Sequence, residues 1–447
     1  MSRPVVVLAA GGKGTRIQSI NSDVPKPMIP IAGKPILQWE IESLVSQGYD
    51  RFIITVSHLA EKILDYFGDG KSLGCSIEYY KEDEPLGNFG AVYKLWEENR
   101  LTETFFFLIA DALFDFSADR MLIYHKEHGG LATLLVHPNS HPYDSGVVVV
   151  DDKGVICGWL NKEDERPKYY KNLVNAGLQI LTTELLEISG INPSIVGNGE
   201  GQRKVDLDRD VLKPAIHTGR IISYKSSEYV KDAGTPERFY TVEKDIISGR
   251  VSGRNLRQHQ KAIFLDRDGT INRYVGFLRD INQFELLPGV IEAIKSINDS
   301  GYLCIVVTNQ PVIARGEVTE DELKCIHNKM ETLLGEAGVY VDAIYYCPHH
   351  PDKGFEGEIS GLKIECECRK PKPGMLLKAA KDFNIELNQS WMIGDGERDI
   401  KAGNAAGCKT LLIVSEGSES NGGADYGQNE TAGDLQEAVE RVLGLDN

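Results

Sequence analysis

No stretch of this 447-residue chain is apolar for long enough to cross a membrane. The first apolar run, Val5–Ala10, is far short of the roughly 20 residues a helical span needs. A Gly-rich polar stretch follows it, where a signal peptide would want a longer apolar core and a small-residue cleavage site. Val5–Ala10 therefore reads as a buried first strand and the protein as cytoplasmic. Positive charge is also scarce: 49 Lys and Arg stand against 66 Asp and Glu, a formal net charge of -17. That balance argues against a broad surface for nucleic acid or for an anionic membrane. An enzyme for anionic phosphates would have to concentrate its positive charge locally, in backbone N–H groups, a few Lys and Arg, and bound metal ions. Long runs of like charge and internal repeats are missing too, so the two halves read as different domains.

The chain is too long for one hydrophobic core, and its 41% hydrophobic and 26% charged residues are ordinary for a soluble globular protein. Val5–Ala10, Phe52–Val56, Ser76–Tyr80, Phe105–Ala110 and Leu131–Val136 read as strands. Pro35–Gln47, Leu59–Phe67 and Phe89–Glu98 read as helices between them, which predicts βαβ units and a mixed, mainly parallel sheet. Shorter strands such as Gly146–Val150 suggest an α+β insertion. A second alternation runs through Ala262–Leu265, Leu303–Val307, Val341–Tyr346, Trp391–Ile393 and Thr410–Val414. Inside it Thr319 and Glu322 form a capping box, and Leu323, Ile326, Met330, Leu333 and Leu334 share the core face of the helix that follows. Residues 246–260 are polar, basic and without apolar periodicity, so the expected division is 1–245, a linker at 246–260, and 261–447, all in the α/β class.

Immediately after the first strand comes Gly11-Gly12-Lys13-Gly14-Thr15-Arg16, whose glycines let the backbone approach a triphosphate. This spacing fits neither the dinucleotide fingerprint nor the Walker A loop. Together with Pro25-Lys26-Pro27-Met28-Ile29-Pro30 and Gly33-Lys34-Pro35, however, it closely resembles the signature of the sugar-1-phosphate nucleotidyltransferases, enzymes with a Rossmann-like sheet. The resemblance implies that Gly11, Gly12, Gly14 and Thr15 hold the nucleoside triphosphate, with Arg16 on the departing pyrophosphate and Lys26 on phosphate. It implies further that Glu84 and Gly87 line the nucleoside pocket, that Asn175 and Gly177 bind the sugar, and that Lys162 contacts its phosphate. Asp111 and Asp232 would hold Mg²⁺. Such a metal, with Arg and Lys, offsets the repulsion between two anions and the charge developing on the leaving group. Ala110 before Asp111, Asn88 after Gly87 and the run Asn161–Pro167 depart from the family pattern. A regulatory relative without activity would be expected to lose Arg16, Lys26, Asp111 or Asp232, and all four are kept.

The second half opens on a strand that ends in Asp266-Arg267-Asp268-Gly269-Thr270. Thr308-Asn309-Gln310, Arg369-Lys370-Pro371 and Gly394-Asp395 follow, and together these resemble the motifs of the haloacid dehalogenase superfamily in order. The resemblance implies that Asp266 attacks phosphorus, that Asp268 protonates the leaving alcohol and then activates water, and that Thr308, Asn309, Arg369 and Lys370 hold substrate. Mg²⁺ would be bound by Asp266, Asp395 and the backbone carbonyl of Asp268, with Asp399 supporting the site from behind. Five of the eight cysteines, Cys75, Cys157, Cys304, Cys325 and Cys408, stand singly. Cys347, His349, Cys366 and Cys368 instead form two short clusters that suit closed tetrahedral Zn²⁺ of structural role, pinning the polar loop 351–365. His350 is adjacent, and the family pattern favours His349.

The combination DRDGTIN, IARG, CPHHP and CxCRKPKPGM resembles the D,D-heptose 1,7-bisphosphate phosphatases. Histidinol-phosphate phosphatases share a similar zinc loop and are the rival. Fusion to a sugar activator favours the heptose enzymes: removal of the 7-phosphate from heptose 1,7-bisphosphate leaves heptose 1-phosphate, which the first domain would convert to a nucleotide-activated heptose and pyrophosphate. GTP is the preferred nucleotide by analogy with bacterial pathways toward GDP-D-glycero-α-D-manno-heptose. Another nucleoside triphosphate or phosphomonoester is the alternative, and assembly into a homo-oligomer stays open.

Overall fold

The computed structural model describes residues 3–11, 24–354, 356–414 and 425–444. The chain folds into two compact units. The first comprises residues up to 136 together with 148–159 and 175–255, and the second comprises 137–147, 160–174 and 256 onward. No helix among the described residues is long and apolar enough to cross a membrane.

The sheet of the first unit is built around Val6–Ala9, which pairs in parallel with Arg51–Val56 on one side and Thr104–Ile109 on the other. Ser76–Lys81 extends it in parallel beyond Arg51–Val56. On the far side Val174–Thr182 runs antiparallel to Thr104–Ile109, followed by Val147–Val150 and Ile156–Leu160. The inner strands carry runs such as Val5–Leu8 and Phe105–Leu108 that are almost wholly buried, as expected for strands covered on both faces. The result is the mixed, mainly parallel sheet read from the sequence. A separate ribbon pairs Ala112–Asp115 with Tyr229–Asp232, so Ala112 lies opposite Asp232 and Asp111 is brought beside that carboxylate's strand.

The second unit has a six-stranded parallel sheet in the order Ala343–Cys347, Leu303–Asn309, Ala262–Leu265, Trp391–Gly394, Lys409–Ile413, Glu430–Ala432. Its last strand was not expected from the sequence, because Glu-Thr-Ala carries neither apolar run nor alternation. The helix Glu320–Glu336 begins at the Thr319/Glu322 capping box, with both reciprocal hydrogen bonds formed. Leu323, Ile326, Met330 and Leu334 are buried as expected, and His327 is buried among them. Residues 246–260 are more ordered than a plain linker: Arg250–Gly253 is helical, Val251 joins an apolar cluster with Phe239 and Val242, and Leu256 packs with Phe264 and Ile385.

Candidate active sites

In the second unit three neighbouring parallel strands, Leu303–Asn309, Ala262–Leu265 and Trp391–Gly394, end at the same edge of the sheet, and their next residues form the site. Asp266, Asp395 and Asp399 are buried, with carboxylate oxygens close enough to share one cation. Two glycines make this crowding feasible. A Cβ on Gly269, whose φ is +87°, would lie 2.0 Å from Asp395 Oδ2, and one on Gly394 would lie 2.5 Å from the Asp399 side chain. Lys370 is 1% exposed and its Nζ lies 2.8 Å from Asp266 Oδ1 and 2.6 Å from Asp399 Oδ1, while donating to the Val307 carbonyl. Asn309 grips the backbone of Lys370 from both sides, accepting from its N–H and donating to its carbonyl. Burial, then the Asp399 charge, push Asp266 up to about 6 against the pull of Lys370.

Asp268 stands in a different field. Burial would raise its carboxyl, but the Arg267 guanidinium and the amides of Asn272 and Gln310 outweigh it and hold the group below its ordinary value. Arg267 is fully buried, donates to both Asp268 oxygens at 2.9 and 2.8 Å, and meets His327 Nε2 at 3.2 Å through Nη1. The Gln310 amide spans Asp268 Oδ2 and Thr308 Oγ1, both at 2.9 Å. The Asp268 side chain is thus engaged away from the carboxylate trio, and Asp399 stands in it together with Asp266 and Asp395. The sequence reading put Asp399 behind the site, and the structure groups it with the two acids that could share a cation. Arg267, Gln310 and Asn272 lie inside or beside the motifs and had no assigned role, and His327 was hidden in a core stripe.

The four cluster residues converge at the end of the strand Ala343–Cys347. Cys347 Sγ lies 3.6 Å from Cys366 Sγ and 3.2 Å from Cys368 Sγ, and His349 Nδ1 lies 3.3 Å from Cys368 Sγ. A tetrahedral ion with metal–sulfur bonds of about 2.3 Å needs its sulfurs about 3.8 Å apart, so this donor set fits a small divalent cation. His350 is turned elsewhere, accepting from the Asp352 N–H at 3.2 Å. Burial first, and then the nearby positive charges of Arg369, Lys363 and Arg315, lower the His350 imidazole's affinity for a proton. Arg315 also lies over the Phe277 ring at 4.0 Å, and Lys363 faces Glu358 at 3.6 Å. Beside the predicted Arg369, then, is a group of cations the sequence reading missed.

In the first unit the ribbon joins two acids from distant parts of the chain. Lys26, 6% exposed in the tight turn Lys26–Met28, places its ammonium 2.9 Å from Asp232 Oδ1 and 3.4 Å from Asp111 Oδ2. Arg238 donates to the other Asp232 oxygen at 2.8 Å. Burial opposes the ionisation of Asp232, but Lys26 and Arg238 together keep its carboxyl below the ordinary value. Two carboxylates brought together beside one ammonium are oxygen donors of the kind Mg²⁺ takes. Glu40 lies fully buried nearby on the helix Ile36–Val45, with neither carboxylate oxygen hydrogen-bonded among the described residues. Burial and then the Asp111 charge push it well above the usual carboxylate range, against the pull of Lys26.

Gly12, Gly14, Thr15 and Arg16 lie outside the described residues. Gly11 is at the end of the first strand, its carbonyl accepting from Ser57 Oγ at 2.9 Å. Gly87 has φ +94°, and a Cβ there would lie 2.2 Å from the Val205 carbonyl oxygen, while Glu84 is exposed. Asn175 and Gly177 share the strand Val174–Thr182, with the Gly177 N–H donating to Asn175 Oδ1. Lys162 falls in the second unit's segment 160–174, paired with Glu163 at 3.7 Å and exposed.

A family model described as nucleotidyl transferase matches residues 5–249, and one described as HAD-hydrolase-like matches residues 367–438. The D-glycero-beta-D-manno-heptose-1,7-bisphosphate 7-phosphatase of Yersinia pestis is 40% identical over 188 residues, 41% of this chain and 97% of that protein. The protein of the same description from Haemophilus influenzae is 45% identical over 170 residues, 37% of this chain and 90% of that one. Among solved structures, HddC from Yersinia pseudotuberculosis matches with 23% identity and a TM-score of 0.45, covering 55% of this chain and all of that one. The D,D-heptose 1,7-bisphosphate phosphatase of B. bronchiseptica matches with 33% identity and a TM-score of 0.36, over 42% of this chain and all of that one.

Proposed function

Belonging as it does to the nucleotidyl transferase family and to that of the heptose bisphosphate 7-phosphatases, this chain carries out, we propose, two consecutive steps on one sugar. The second unit removes the 7-phosphate of D-glycero-D-manno-heptose 1,7-bisphosphate. The first then transfers GMP from GTP to the heptose 1-phosphate, releasing pyrophosphate. One observation carries the reading: the product expected of a phosphatase of this family is the kind of acceptor that a sugar-phosphate nucleotidyltransferase consumes. Both steps would take place in the cytoplasm, where the nucleoside triphosphate is made and where thiols such as the eight free cysteines stay reduced.

In the phosphatase, Asp266 attacks phosphorus and forms an aspartyl phosphate. Its neighbours Asp395 and Asp399 would hold Mg²⁺ with it, and the ion supplies the positive charge that lets a carboxylate approach a phosphate. Lys370 and Thr308 face the phosphoryl oxygens. Asp268 is held ionised before substrate arrives, the form that takes a proton from water in the second half-reaction. To protonate the leaving sugar hydroxyl in the first, it must gain a proton as the incoming phosphate dianion offsets Arg267, since a like charge nearby raises a carboxyl's pKa. The Arg315, Lys363 and Arg369 group is suited to the substrate's second, unreacted phosphate. Zn²⁺ on Cys347, His349, Cys366 and Cys368 would be structural, because four protein donors leave no open position.

In the transferase, no covalent intermediate is needed. Lys26 and Arg238 neutralise Asp232, and Mg²⁺ on Asp111 and Asp232 would offset charge on the α-phosphate and on departing pyrophosphate. Arg16 and the Gly11–Thr15 backbone are assigned to the triphosphate, and Glu84 and Gly87 to the nucleoside. Incubation of the full chain with heptose 1,7-bisphosphate, Mg²⁺ and each nucleoside triphosphate in turn tests the reading. GDP-heptose should accumulate with GTP. Phosphate release without nucleotide-heptose from any triphosphate would contradict it.

A further inference from the structure

Between the segment assigned to the nucleoside and the strand assigned to the sugar lies a single wide helical turn, Leu207–Leu212. Its entry is tied to the nucleoside side. The Phe89 N–H donates to the Val205 carbonyl, the Val205 N–H to the Leu86 carbonyl, and the Leu207 N–H to Asn88 Oδ1 at 2.8 Å. Asn88 also donates to Asp206 Oδ2, and Asp206 caps the turn by accepting from the Arg209 N–H. Asn88, a departure from the family pattern by sequence, is therefore the clamp that fixes where this turn sits.

The turn presents Asp208 toward the sugar-side strand. Its carboxylate is half-buried and accepts from a weak donor, Asn175 Nδ2 at 3.5 Å. Burial, then the adjacent Asp206 charge, push it up to about 6, against Lys213 and the Asn175 amide. Asn175 is itself held by Gln179, which stands four residues on and on the same face of the strand and donates to Asn175 Oδ1 at 3.4 Å. Gln179 is completely buried, and its Oε1 has no hydrogen-bond partner among the described residues. Asn175 Oδ1 thus receives both the Gly177 N–H and the Gln179 amide, while the Asn175 Nδ2 contact to Asp208 stays long. Lys213, whose charge reaches Asp208, holds its Nζ 5.5 Å from the ring centroid of half-buried Trp159. A half-buried carboxylate held by a long amide contact, beside a second amide with an unpaired buried oxygen and with an indole nearby, matches a polyhydroxylated ring. The hydroxyls supply donors to the carboxylate, and the ring's C–H face packs on the indole.

We propose that Asp208 is the residue that reads the sugar's hydroxyl groups in the transferase site and so sets which sugar 1-phosphate is accepted. The proposal rests on the transferase reading and goes beyond the Asn175–Gly177 assignment, because it places the discriminating charge on a separate turn. An ionised acceptor discriminates well. A substrate that lacks the matching hydroxyl leaves the carboxylate desolvated and unpaired, which costs more than the loss of a neutral hydrogen bond.

The test is steady-state kinetics of the full chain with Mg²⁺, GTP and supplied heptose 1-phosphate or its monodeoxy analogues. Asp208→Asn keeps the shape and removes the charge. It should raise KM for heptose 1-phosphate about 10- to 100-fold, the effect of losing a charged hydrogen bond. KM for GTP should stay within about twofold, and Asp208→Glu should recover part of the loss. One monodeoxy analogue should be a poor substrate for the wild type but no worse than heptose 1-phosphate for Asp208→Asn. An unchanged KM for the sugar, or a parallel rise in KM for GTP, would overturn the proposal. Wild-type protein that transfers nucleotide to no sugar 1-phosphate would overturn the underlying reading and this proposal with it, an outcome visible before any variant is made.

Discussion

Both candidate sites set carboxylates around a lysine, yet they place the charges in opposite ways. In the phosphatase site Asp266, Asp395 and Asp399 are 5%, 1% and 0% exposed, and one buried lysine serves the first and last of them. Acid crowds upon acid, and Asp266 is pushed up to about 6. In the transferase site the side chains of Asp111 and Asp232 are 51% and 31% exposed. Lys26 spans both, Arg238 adds a second cation, and Asp232 is pulled down. The difference suits the chemistry proposed for each. A carboxylate that is to become a nucleophile has to be stripped of water and left under-compensated until a cation and substrate arrive. A carboxylate that only holds a cation between two substrates does better ionised and near solvent.

That contrast yields predictions of decreasing size. Lys26→Met should lower nucleotide transfer about 10²- to 10³-fold, the usual loss when one cation facing developing phosphate charge is removed. Phosphate release measured on the same preparation should be unchanged. Equal losses in both assays would break the separation of the two sites. A zinc-selective chelator in excess Mg²⁺, stripping the ion proposed for Cys347, His349, Cys366 and Cys368, should lower phosphate release about tenfold or more and expose residues 351–365 to protease. Nucleotide transfer to supplied heptose 1-phosphate should persist.

The smallest effect concerns Glu40, a buried acid of the transferase unit whose carboxyl, like that of Asp266, is raised by burial. Because its carboxyl is raised in the folded protein, the stability it contributes is full below about pH 4.5 and is lost as pH rises through the folded value. Glu40→Gln removes that dependence. Near neutral pH it should raise the melting temperature of the metal-free protein by about 2–4 °C, the shift that about 1 kcal/mol produces in a unit of this size. At pH 4 the variant and wild type should melt together.

The units were legible in the sequence to different depths. The strand ending in Asp266-Arg267-Asp268 and the clusters around Cys347 and Cys366 announced themselves because each puts several chemical groups within a few residues. Asp111 and Asp232 could be matched only by family resemblance, since the antiparallel ribbon that joins them closes over more than a hundred residues. Glu40 and His327 were missed although a signal existed. Glu40 shares the buried helix face with Ile36, Leu37, Ile41 and Leu44, and His327 lies among Leu323, Ile326 and Met330. A titratable residue on an apolar face is a local conflict that calls for a partner or a function. Asp208 gave no such signal, because its role depends on a wide turn that residue spacing does not reveal. The strand Glu430–Ala432 was invisible for a related reason: sheet pairing alone defines it.

The central claim, that the phosphatase acts first and the transferase second on one sugar, is tested most directly with Asp266→Asn in the full chain. Given heptose 1,7-bisphosphate, Mg²⁺ and GTP, the variant should release no phosphate and form no GDP-heptose. Given heptose 1-phosphate, it should form GDP-heptose at the wild-type rate. GDP-linked product from the bisphosphate in the absence of phosphate release, or loss of transfer to supplied heptose 1-phosphate in a folded variant, would contradict the account.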